Sequence, residues 1–453
     1  MSHQDLPASA TPAESVSQLV DFIRDGEKPP EQWRVGTEHE KIGLLAETYE
    51  CVPYEGPRGI AAILEAIATE DDWKRIFEGP NLIALEKDGA SITLEPGGQL
   101  ELSGAPLRTI HETCHEFHSH LDLVRRVSGL RGVIWLSLGI NPLHEVRDIP
   151  RMPKARYDIM REYLPTRGEL ALHMMHLTAT VQANLDFANE EDMVRKLRTS
   201  LAISPIVSAI FANSSIASGK PTGFASRRVD IWQATDPDRC GLLPFVFEAD
   251  FGYERYVEWA LDVPLFFIVR DGAYLPAGGL SFRQFMSRGL SGHRPTLADW
   301  ATHLTTLFPE VRLKKVIEVR GTDAVPPGLI CALPALWKGI LYDADARSGA
   351  WELVAGRDAQ QRQAGLEDVA RRGLAAELAG RPLIELAREL VALASEGLRR
   401  IGHAGRRDAD ERSYLDPILL QLESGRSPGE EILDQWEGDW GHSIPRLIEY
   451  ARY

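Results

Sequence analysis

Four short segments of the chain alternate between polar and apolar residues, and the clearest is TATVQANLDF at residues 178–187. Every second position of this segment holds a polar residue, and these are Thr180, Gln182, Asn184 and Asp186. Side chains two residues apart lie on the same face of a β-strand, so this segment has one polar face and one apolar face. Because the apolar faces must pack on a core, the pattern predicts an α+β protein with an antiparallel sheet.

The polar positions of the other three segments are mostly acidic. They are Glu38 and Glu40 in WRVGTEHEKI, Glu95 and Glu101 in SITLEPGGQLELS, and Glu318 beside Arg320 in KKVIEVRG. For any single strand, a solvated outer face is the simpler interpretation. If the strands are neighbours, however, the five carboxylates cannot all stay ionised unless cations neutralise them. Hard oxygen ligands favour Mg²⁺ or Mn²⁺, which often share their coordination with phosphate oxygens.

Hydrophobic periodicity predicts the remaining elements. Strands are expected at 33–45, 81–103 (two or three around the turn EPGG), 178–187 and 314–320, and helices at 15–23, 59–69, from Ile110 onward, 190–211, 364–378, 383–402 and 428–450. After Asp343 the composition shifts to Ala, Leu, Glu and Arg. We therefore predict a catalytic domain of residues 1–343, in which residues 1–14 are loose, and a helical C-terminal extension of residues 344–453 packed on it.

The charge and hydropathy of the chain argue against several classes of partner. The 453 residues carry a formal net charge of −16, so nucleic acids and anionic membranes would repel the protein overall. No stretch reaches the ~20 apolar residues that span a membrane. The N-terminal segment has the pattern of neither a signal peptide nor a transit peptide. We expect a cytoplasmic protein without nucleic-acid or membrane partners.

The cysteines support the same compartment. Cys51, Cys114, Cys240 and Cys331 lie far apart in the sequence and form no CxxC pair. This spacing argues against a zinc site built from thiolates, and it is typical of proteins in a reducing environment.

Two local motifs suggest other functions and are set aside. SGKPTG at 218–223 lacks the upstream glycine of a P-loop and has Pro221 where Ser or Thr would bind magnesium, and no GxGxxG follows any predicted strand. HETCH at 111–115 satisfies HExxH, the zinc-peptidase signature. We favour a solvated helix face for His111 and His115, because His118 stands where a longer form of that signature requires glycine.

A series of longer motifs carries a resemblance to a known family. In chain order these are GTEHEK, LEPGGQLELSGAP, MPKARYDIM, TVQANLDF, EDMVRKLR, FANSS with GKPTGF, DRCGLLPFVFE, ALDVPLFF, FRQF, HLTTLFPEVRLKK, IEVRGTD and CALPALW. Between about Gln32 and Asp343 the chain resembles the plant-type glutamate cysteine ligases of plants and proteobacteria. The resemblance implies a glutamine synthetase-like fold, in which helices flank a curved antiparallel sheet that forms a funnel.

The resemblance also implies an activity, which is the ATP-dependent joining of the γ-carboxyl of L-glutamate to the amine of L-cysteine through γ-glutamyl phosphate. This reaction is the first step of glutathione biosynthesis. Two or three Mg²⁺ ions, for which Mn²⁺ can substitute, would be held on the concave face of the sheet. The implied metal ligands are Glu38, Glu40, Glu95, Glu101, Gln182 and Glu318.

Further residues receive roles from the same resemblance and from their chemistry. Arg320 would contact the transferring phosphoryl group and, with Glu38, is a candidate catalytic residue. Arg228 suits the glutamate α-carboxylate because a guanidinium group binds a carboxylate through two hydrogen bonds. The other candidates for substrate binding are Arg156, Asn184 and Trp232. The candidates for nucleotide binding are Lys41, Lys314 and Arg320, and Cys114 with Cys331 is a candidate redox pair.

Several alternatives remain open on the sequence alone. A γ-glutamyl ligase with another amine acceptor, or an ergothioneine-pathway paralogue, would keep the fold and change the substrate. A zinc peptidase and a non-catalytic relative are more distant hypotheses. Beyond the small-molecule substrates L-glutamate, L-cysteine and ATP, we expect no partner other than a second copy of the chain, in a protein that is a monomer or a weak homodimer.

Overall fold

A large antiparallel sheet is the central element of the computed structural model, which describes residues 11–378, 380–402 and 410–453. Its strands are β1 (Val35–Leu45), β2 (Lys74–Glu78), β3 (Asn81–Lys87), β4 (Ala90–Leu94), β5 (Leu100–Ser103), β6 (Val133–Leu136), β7 (Val181–Leu185), β8 (Val311–Leu313) and β9 (Ile317–Val319). In space they follow the order β8-β9-β7-β1-β5-β4-β3-β2. Strand β6 pairs separately with the second half of β1, where Leu45 opposes Val133.

Helices pack around this sheet. They are α1 (Val16–Arg24), α2 (Ile60–Glu70), α3 (Ile110–Gly129), α4 (Ala155–Tyr163), α5 (Ala171–Leu177), α6 (Glu190–Ile210), α7 (Arg227–Gln233), α8 (Tyr253–Asp262), α9 (Phe282–Arg288), α10 (Leu297–Thr305), α11 (Pro327–Ile330), α12 (Ala332–Leu341), α13 (Ala344–Val354), α14 (Ala359–Arg372), α15 (Leu383–Ile401), α16 (Asp416–Ser424), α17 (Pro428–Glu437) and α18 (Ile444–Ala451). Short two-stranded pairs are formed by Ile216–Ala217 with Lys220–Pro221, Cys240–Gly241 with Phe308–Pro309, Phe267–Arg270 with Ala273–Pro276, and Glu377–Leu378 with Arg381–Pro382.

The predicted fold class is confirmed as an α+β protein with an antiparallel sheet, whereas the curvature and the funnel shape remain predictions. The apolar residues of the alternating segments form one side of the core, as the pattern predicts. Val181, Ala183 and Leu185 of β7 are fully buried, and α12 packs against β7 and β1. Among the described residues, no helix combines the length and the hydropathy that crossing a membrane would require.

The prediction of one helix over residues 428–450 is wrong, because the structure has α17 and α18 there. Gly441 and His442 adopt positive φ angles of 54° and 63°, which an α-helix does not accommodate. Pro445 then lies in the first turn of α18, where its missing N–H breaks no helical hydrogen bond. The helix predicted at 364–378 likewise begins earlier and ends at Arg372, before Gly373 with φ 55°.

Both ends of the described chain contact the rest of the fold. Of the stretch predicted to be loose, residues 1–10 lie outside the described residues, and Ala13 is buried, where its N–H donates to the Pro295 carbonyl at 3.0 Å. At the other end, Tyr453 is buried beneath β1, where its hydroxyl lies 2.8 Å from His39 Nε2. The division into domains at Asp343 remains a prediction.

Candidate active site

The polar face of the sheet brings together side chains from five neighbouring strands. Glu38 on β1 lies opposite Gln182 on β7 and Ser103 on β5. One step along β1, Glu40 lies opposite Glu101, and Glu101 lies opposite Thr93 on β4. Directly opposite residues in antiparallel strands share a face, and their Cβ atoms are about 4.5–5.5 Å apart. The strands are therefore neighbours in the order that makes their acidic positions converge.

A cavity of about 1310 Å³, including space open to solvent, lies over this face. Its acidic and amide residues are Glu38, Glu40, Glu95, Glu101, Gln99 and Gln182, and its cationic residues are Lys154, Arg156, Arg228, Arg312 and Arg320. Aromatic side chains, among them Tyr157, Trp232 and Phe267, line other parts of it.

The carboxyl groups of the cavity repel one another, and they are buried at Glu38 and Glu101 and half-buried at Glu40 and Glu95. Burial raises the pKa of Glu40 well above its usual range, and the nearby charges of Glu101 and Glu95 raise it further. Burial also raises the pKa of Glu38 and of Glu95, with added repulsion from Glu318 and Glu101 respectively. A bound cation would remove this repulsion and allow the groups to ionise.

Glu318 lies behind the cavity wall and is surrounded by cations. Arg312, directly opposite on β8, donates to Glu318 through Nη2 at 2.6 Å and through Nε at 3.0 Å. Lys314 Nζ lies 3.1 Å from the same carboxylate, and Arg320 forms a further ion pair with it. These partners outweigh the opposing effect of burial and hold the pKa of Glu318 well below its usual range.

Arg320 points into the cavity from this network. Its Nη1 donates to Gln182 Oε1 at 2.8 Å as well as to Glu318. Its neighbour Arg228, from α7, donates to the Arg320 carbonyl at 3.1 Å and stacks over Trp232, with 5.2 Å from the guanidinium carbon to the ring centroid. The indole N–H of Trp232 is buried and has no acceptor among the described residues. The guanidinium groups of Arg228 and Arg320 and the indole N–H of Trp232 thus face the same part of the cavity.

Lys154 and Tyr157 form another wall at the start of α4. Lys154 Nζ and the Tyr157 hydroxyl both donate to the Leu94 carbonyl, at 2.8 Å and 2.7 Å. Burial, with a smaller contribution from Arg156, lowers the pKa of Lys154 to about 7. Arg156 Nη2 donates to the Tyr157 hydroxyl at 3.2 Å and also lines the cavity.

Besides Glu318, the structure leaves three of the sequence-predicted active-site residues out of the cavity lining. Lys41 is on the opposite face of β1, where Nζ donates to the His39 carbonyl and burial lowers its pKa to about 7. Asn184 Nδ2 donates to Glu38 Oε1 at 3.1 Å, so Asn184 supports a lining residue. Lys314 is held by Glu318.

Sequence reasoning missed Arg312, Lys154 and Tyr157. Arg312 is in a strand whose pairing with Ile317–Val319 was not predicted, so nothing in the sequence placed it opposite Glu318. Lys154 and Tyr157 lie in the motif MPKARYDIM, and that motif was the signal that could have identified them.

The HETCH segment does not form a zinc-peptidase site. Glu112 caps the N-terminus of α3, accepting from the Thr109 N–H at 2.9 Å, and is not available as a base. His111 Nδ1 lies 2.9 Å from the Tyr414 hydroxyl, and His115 is exposed. In the described part of the chain, Cys114, His118 and Cys331 have ligand atoms within 4.8 Å of one another, but neither His111 nor His115 belongs to this group.

Comparison with known proteins identifies the family. The profile of glutamate-cysteine ligase family 2 (GCS2) matches residues 34–449. The chain belongs to this family. The chloroplastic glutamate–cysteine ligase of Nicotiana tabacum is 44% identical over 453 residues, covering 99% of this chain and 85% of that protein, and the Arabidopsis thaliana enzyme is 42% identical over 463 residues, covering 100% and 87%. The resemblance drawn from the motifs is confirmed.

Solved structures agree with the fold of a family 2 ligase. The glutamate–cysteine ligase of Francisella tularensis, in complex with AMP, has a TM-score of 0.55 over 92% of this chain and 88% of that one, at 13% identity. A bifunctional glutathione synthetase from Pasteurella multocida has a TM-score of 0.52 over 93% of this chain and 51% of that one, at 13% identity.

The acidic face of this family 2 ligase fits Mg²⁺. Hard oxygen atoms are supplied by Glu38, Glu40, Glu95 and Glu101. Burial raises the pKa of Glu38, Glu40 and Glu95, and a bound cation would lower the pKa of each. Gln182 adds an amide at the same face, although its oxygen also accepts from Arg320. Glu318 already has three cationic partners, so it is the weakest fit as a direct ligand.

Proposed function

We propose that the protein joins the γ-carboxyl of L-glutamate to the amine of L-cysteine, at the expense of ATP and with Mg²⁺ bound at the cavity face. The observation that carries this proposal is the arrangement of the cavity, in which acidic residues of β1, of β5 and of the turn between β4 and β5 lie beside Arg228 and Arg320. Such a site can hold cations, a triphosphate and an amino acid at once. The family membership names the same two amino acids.

The chemistry requires activation of glutamate, because a carboxylate is a poor electrophile. Attack of its γ-carboxylate on the γ-phosphorus of ATP gives γ-glutamyl phosphate and ADP, and attack of the cysteine amine then gives the amide and phosphate. Two or three Mg²⁺ or Mn²⁺ ions would be held by Glu38, Glu40, Glu95 and Glu101, together with Gln182. When bound, these ions neutralise charge on the phosphates and on the leaving phosphate.

The residues of the chain position the reacting groups. Arg320 is fixed by Gln182 and Glu318 and faces the cavity, so its guanidinium group can contact the phosphoryl group during both steps. Lys154 and Arg156 supply further positive charge on the opposite wall. No protein nucleophile is needed, since each covalent bond forms between substrates.

Arg228 is the residue we assign to the glutamate α-carboxylate. Within the described ranges of the chain, neither its buried Nε nor the Trp232 N–H in the same part of the cavity has a hydrogen-bond partner. Burial lowers the pKa of Arg228, and a carboxylate ligand would stabilise the charged form.

The decisive experiment measures ADP release with glutamate and ATP in the presence of cysteine, 2-aminobutyrate or other amines, with product identified by mass spectrometry. Formation of γ-glutamylcysteine, abolished by chelation of Mg²⁺ and by Glu38→Gln, supports the proposal. Turnover with another amine and indifference to cysteine would identify a different γ-glutamyl ligase. Glutamate-dependent turnover that persists in chelator would overturn the role of the acidic face.

A further inference from the structure

A buried carboxylate that the proposed mechanism does not use lies behind Arg228. Asp323 follows β9 in the motif IEVRGTD and is 1% exposed. There is space for its side chain because residue 139 is a glycine, where a Cβ atom would lie 2.5 Å from both Cβ and Cγ of Asp323. The residues that line the cavity do not include Asp323. Asp323 can therefore influence a bound substrate only through other side chains.

Asp323 accepts three hydrogen bonds from groups around the start of α7. Its Oδ1 accepts from the Ser226 hydroxyl at 2.9 Å, and its Oδ2 accepts from the Ser214 hydroxyl at 2.7 Å. The Asn213 N–H also donates to Oδ2, at 2.6 Å. A serine hydroxyl has one proton, so a hydroxyl that donates to Asp323 can only accept from other donors. The carboxylate thus fixes the orientation of both hydroxyl groups.

Both serine hydroxyls in turn accept from the first N–H groups of α7. The Ser214 hydroxyl accepts from the Arg228 N–H at 3.0 Å. The Ser226 hydroxyl is the N-cap of the helix and accepts from the Val229 N–H at 3.2 Å. Because the first N–H groups of an α-helix have no partner within the helix, these bonds determine where the helix begins. Asp323 therefore sets the position of the backbone from which the Arg228 side chain extends.

Asp323 also acts on the charge of Arg228. Burial lowers the pKa of the Arg228 guanidinium group, and Asp323 contributes most among the groups that oppose this effect, followed by Glu310. The Arg228 Nε has no hydrogen-bond partner among the described residues. The negative charge of Asp323 thus stabilises the cation without occupying the N–H group that a substrate carboxylate would use.

We propose that Asp323 is a positioning residue for Arg228 and thereby determines the affinity of the protein for the α-carboxylate of L-glutamate. The inference rests on the proposed function, which assigns Arg228 to that carboxylate. Asp323 holds the start of α7 through Ser214 and Ser226, and its charge keeps the guanidinium group ionised. Its loss should weaken the binding of glutamate and leave the binding of ATP and cysteine unchanged.

A double-mutant cycle tests whether Asp323 acts through Arg228. Asp323→Asn keeps the shape of the side chain and removes its charge. We expect this variant of the full-length protein to raise the KM for L-glutamate about 10–100-fold, as do residues that orient a metal-binding side chain, with kcat and the KM values for ATP and cysteine within about threefold of the parent. In an Arg228→Gln background, Asp323→Asn should change kcat/KM for glutamate by less than about threefold, because the side chain that it positions is gone. A general folding defect would reduce kcat/KM by the same factor in both backgrounds.

Two further variants control for folding. Glu411 is a buried carboxylate that accepts from the Ile110 N–H at 2.9 Å, at the start of α3, and pairs with Lys338 at 2.7 Å, but it does not line the cavity. Glu411→Gln should therefore lower the unfolding temperature and leave the KM for glutamate unchanged. Ser226→Ala removes one of the two hydroxyls and keeps the charge of Asp323, so it should raise the KM for glutamate about 3–10-fold and lower stability only by the loss of an N-cap.

The proposed function and the role of Asp323 fail in different ways. A parent protein that does not turn over L-glutamate overturns both. If the parent uses L-glutamate, the role of Asp323 is overturned when Asp323→Asn leaves the KM for glutamate at the parent value, or when its effect is equal with and without Arg228→Gln. Should Asp323→Asn not fold, Ser226→Ala is measured in the same two backgrounds, and the same two results overturn the role of Asp323.

Discussion

Glu40 and Glu101 lie directly opposite each other on neighbouring antiparallel strands, with both side chains on the face beneath the cavity. Like charges in this position destabilise a sheet. Thr93 Oγ1 donates to Glu101 at 2.7 Å and the Thr180 N–H donates to Glu40 at 3.1 Å. A cation beside the pair would relieve the remaining repulsion, which connects the sheet register to metal binding.

Glu40→Gln separates the catalytic role of this pair from its structural role. In buffer without Mg²⁺ the variant should unfold at the same temperature as the parent or higher, because one of two repelling groups has become neutral. With Mg²⁺ and ATP, kcat/KM should fall at least about 100-fold. Calorimetry and steady-state assays measure the two effects. Glu47→Gln, at a side chain that is 79% exposed, is the matched control and should change neither.

The sequence predicts the acidic face because strand alternation is a local property. Glu38, Glu40 and Glu101 need only their own strands to share a face, and the pairing of β1 with β5 then brings them together. The same rule places Lys41 beside His39 on the opposite face, so a nucleotide role for Lys41 conflicts with the alternation that identified its neighbours.

Contacts between distant segments could not be derived in this way. Arg312 faces Glu318 only because β8 and β9 form a hairpin, and a short irregular strand gives no periodic signal. Cys331 lies near Cys114 although more than 200 residues separate them, and no spacing within the sequence encodes that contact.

Arg320 and Arg228 should affect different kinetic constants. Arg320→Lys keeps a positive charge but cannot reach both Gln182 and a phosphoryl group, so kcat should fall about 10²–10³-fold with little change in the KM for glutamate. Arg228→Lys should instead raise the KM for glutamate about 10–100-fold. Initial rates over a grid of ATP and glutamate concentrations distinguish the two. Similar losses in kcat for both variants would contradict the assignment.

Lys41→Met tests the placement of Lys41 away from the nucleotide. Because its side chain is buried on the opposite face of β1, the KM for ATP should stay within about twofold of the parent value. Arg156→Met serves as the comparison variant because it removes a cation from the cavity wall, and it should raise the KM for one of the substrates. A tenfold rise in the KM for ATP in Lys41→Met would show that the strand face was assigned incorrectly.

Tyr453→Phe tests how the last residue of the chain is anchored. The Tyr453 hydroxyl donates to the Val325 carbonyl at 3.1 Å and lies 2.8 Å from His39 Nε2. Removing it leaves a buried imidazole without a partner, so the free energy of unfolding should fall by about 1–3 kcal/mol. Tyr450→Phe is the control, since Tyr450 is 37% exposed and its loss of one hydrogen bond to Glu431 should cost less than about 0.5 kcal/mol. Denaturant unfolding that gives equal values for both variants would contradict the anchoring role.

Glu116 should make the stability of the protein depend on pH. Burial raises its pKa from 4.5 to about 7, although the Ala105 N–H donates to its carboxylate at 2.9 Å. Between these two pH values the folded protein keeps a proton that the unfolded chain has released, so the free energy of unfolding falls as pH rises through this range. Glu116→Gln keeps an acceptor for the Ala105 N–H and has no charge. Between pH 4.5 and pH 8, the free energy of unfolding of the variant should therefore rise by about 1–3 kcal/mol relative to that of the parent. Urea unfolding of both proteins at pH 4.5, 6 and 8 measures the difference between their free energies of unfolding. The contributions of the other titrating groups cancel in this difference. A difference that is constant across the three pH values would contradict the buried, protonated state of Glu116.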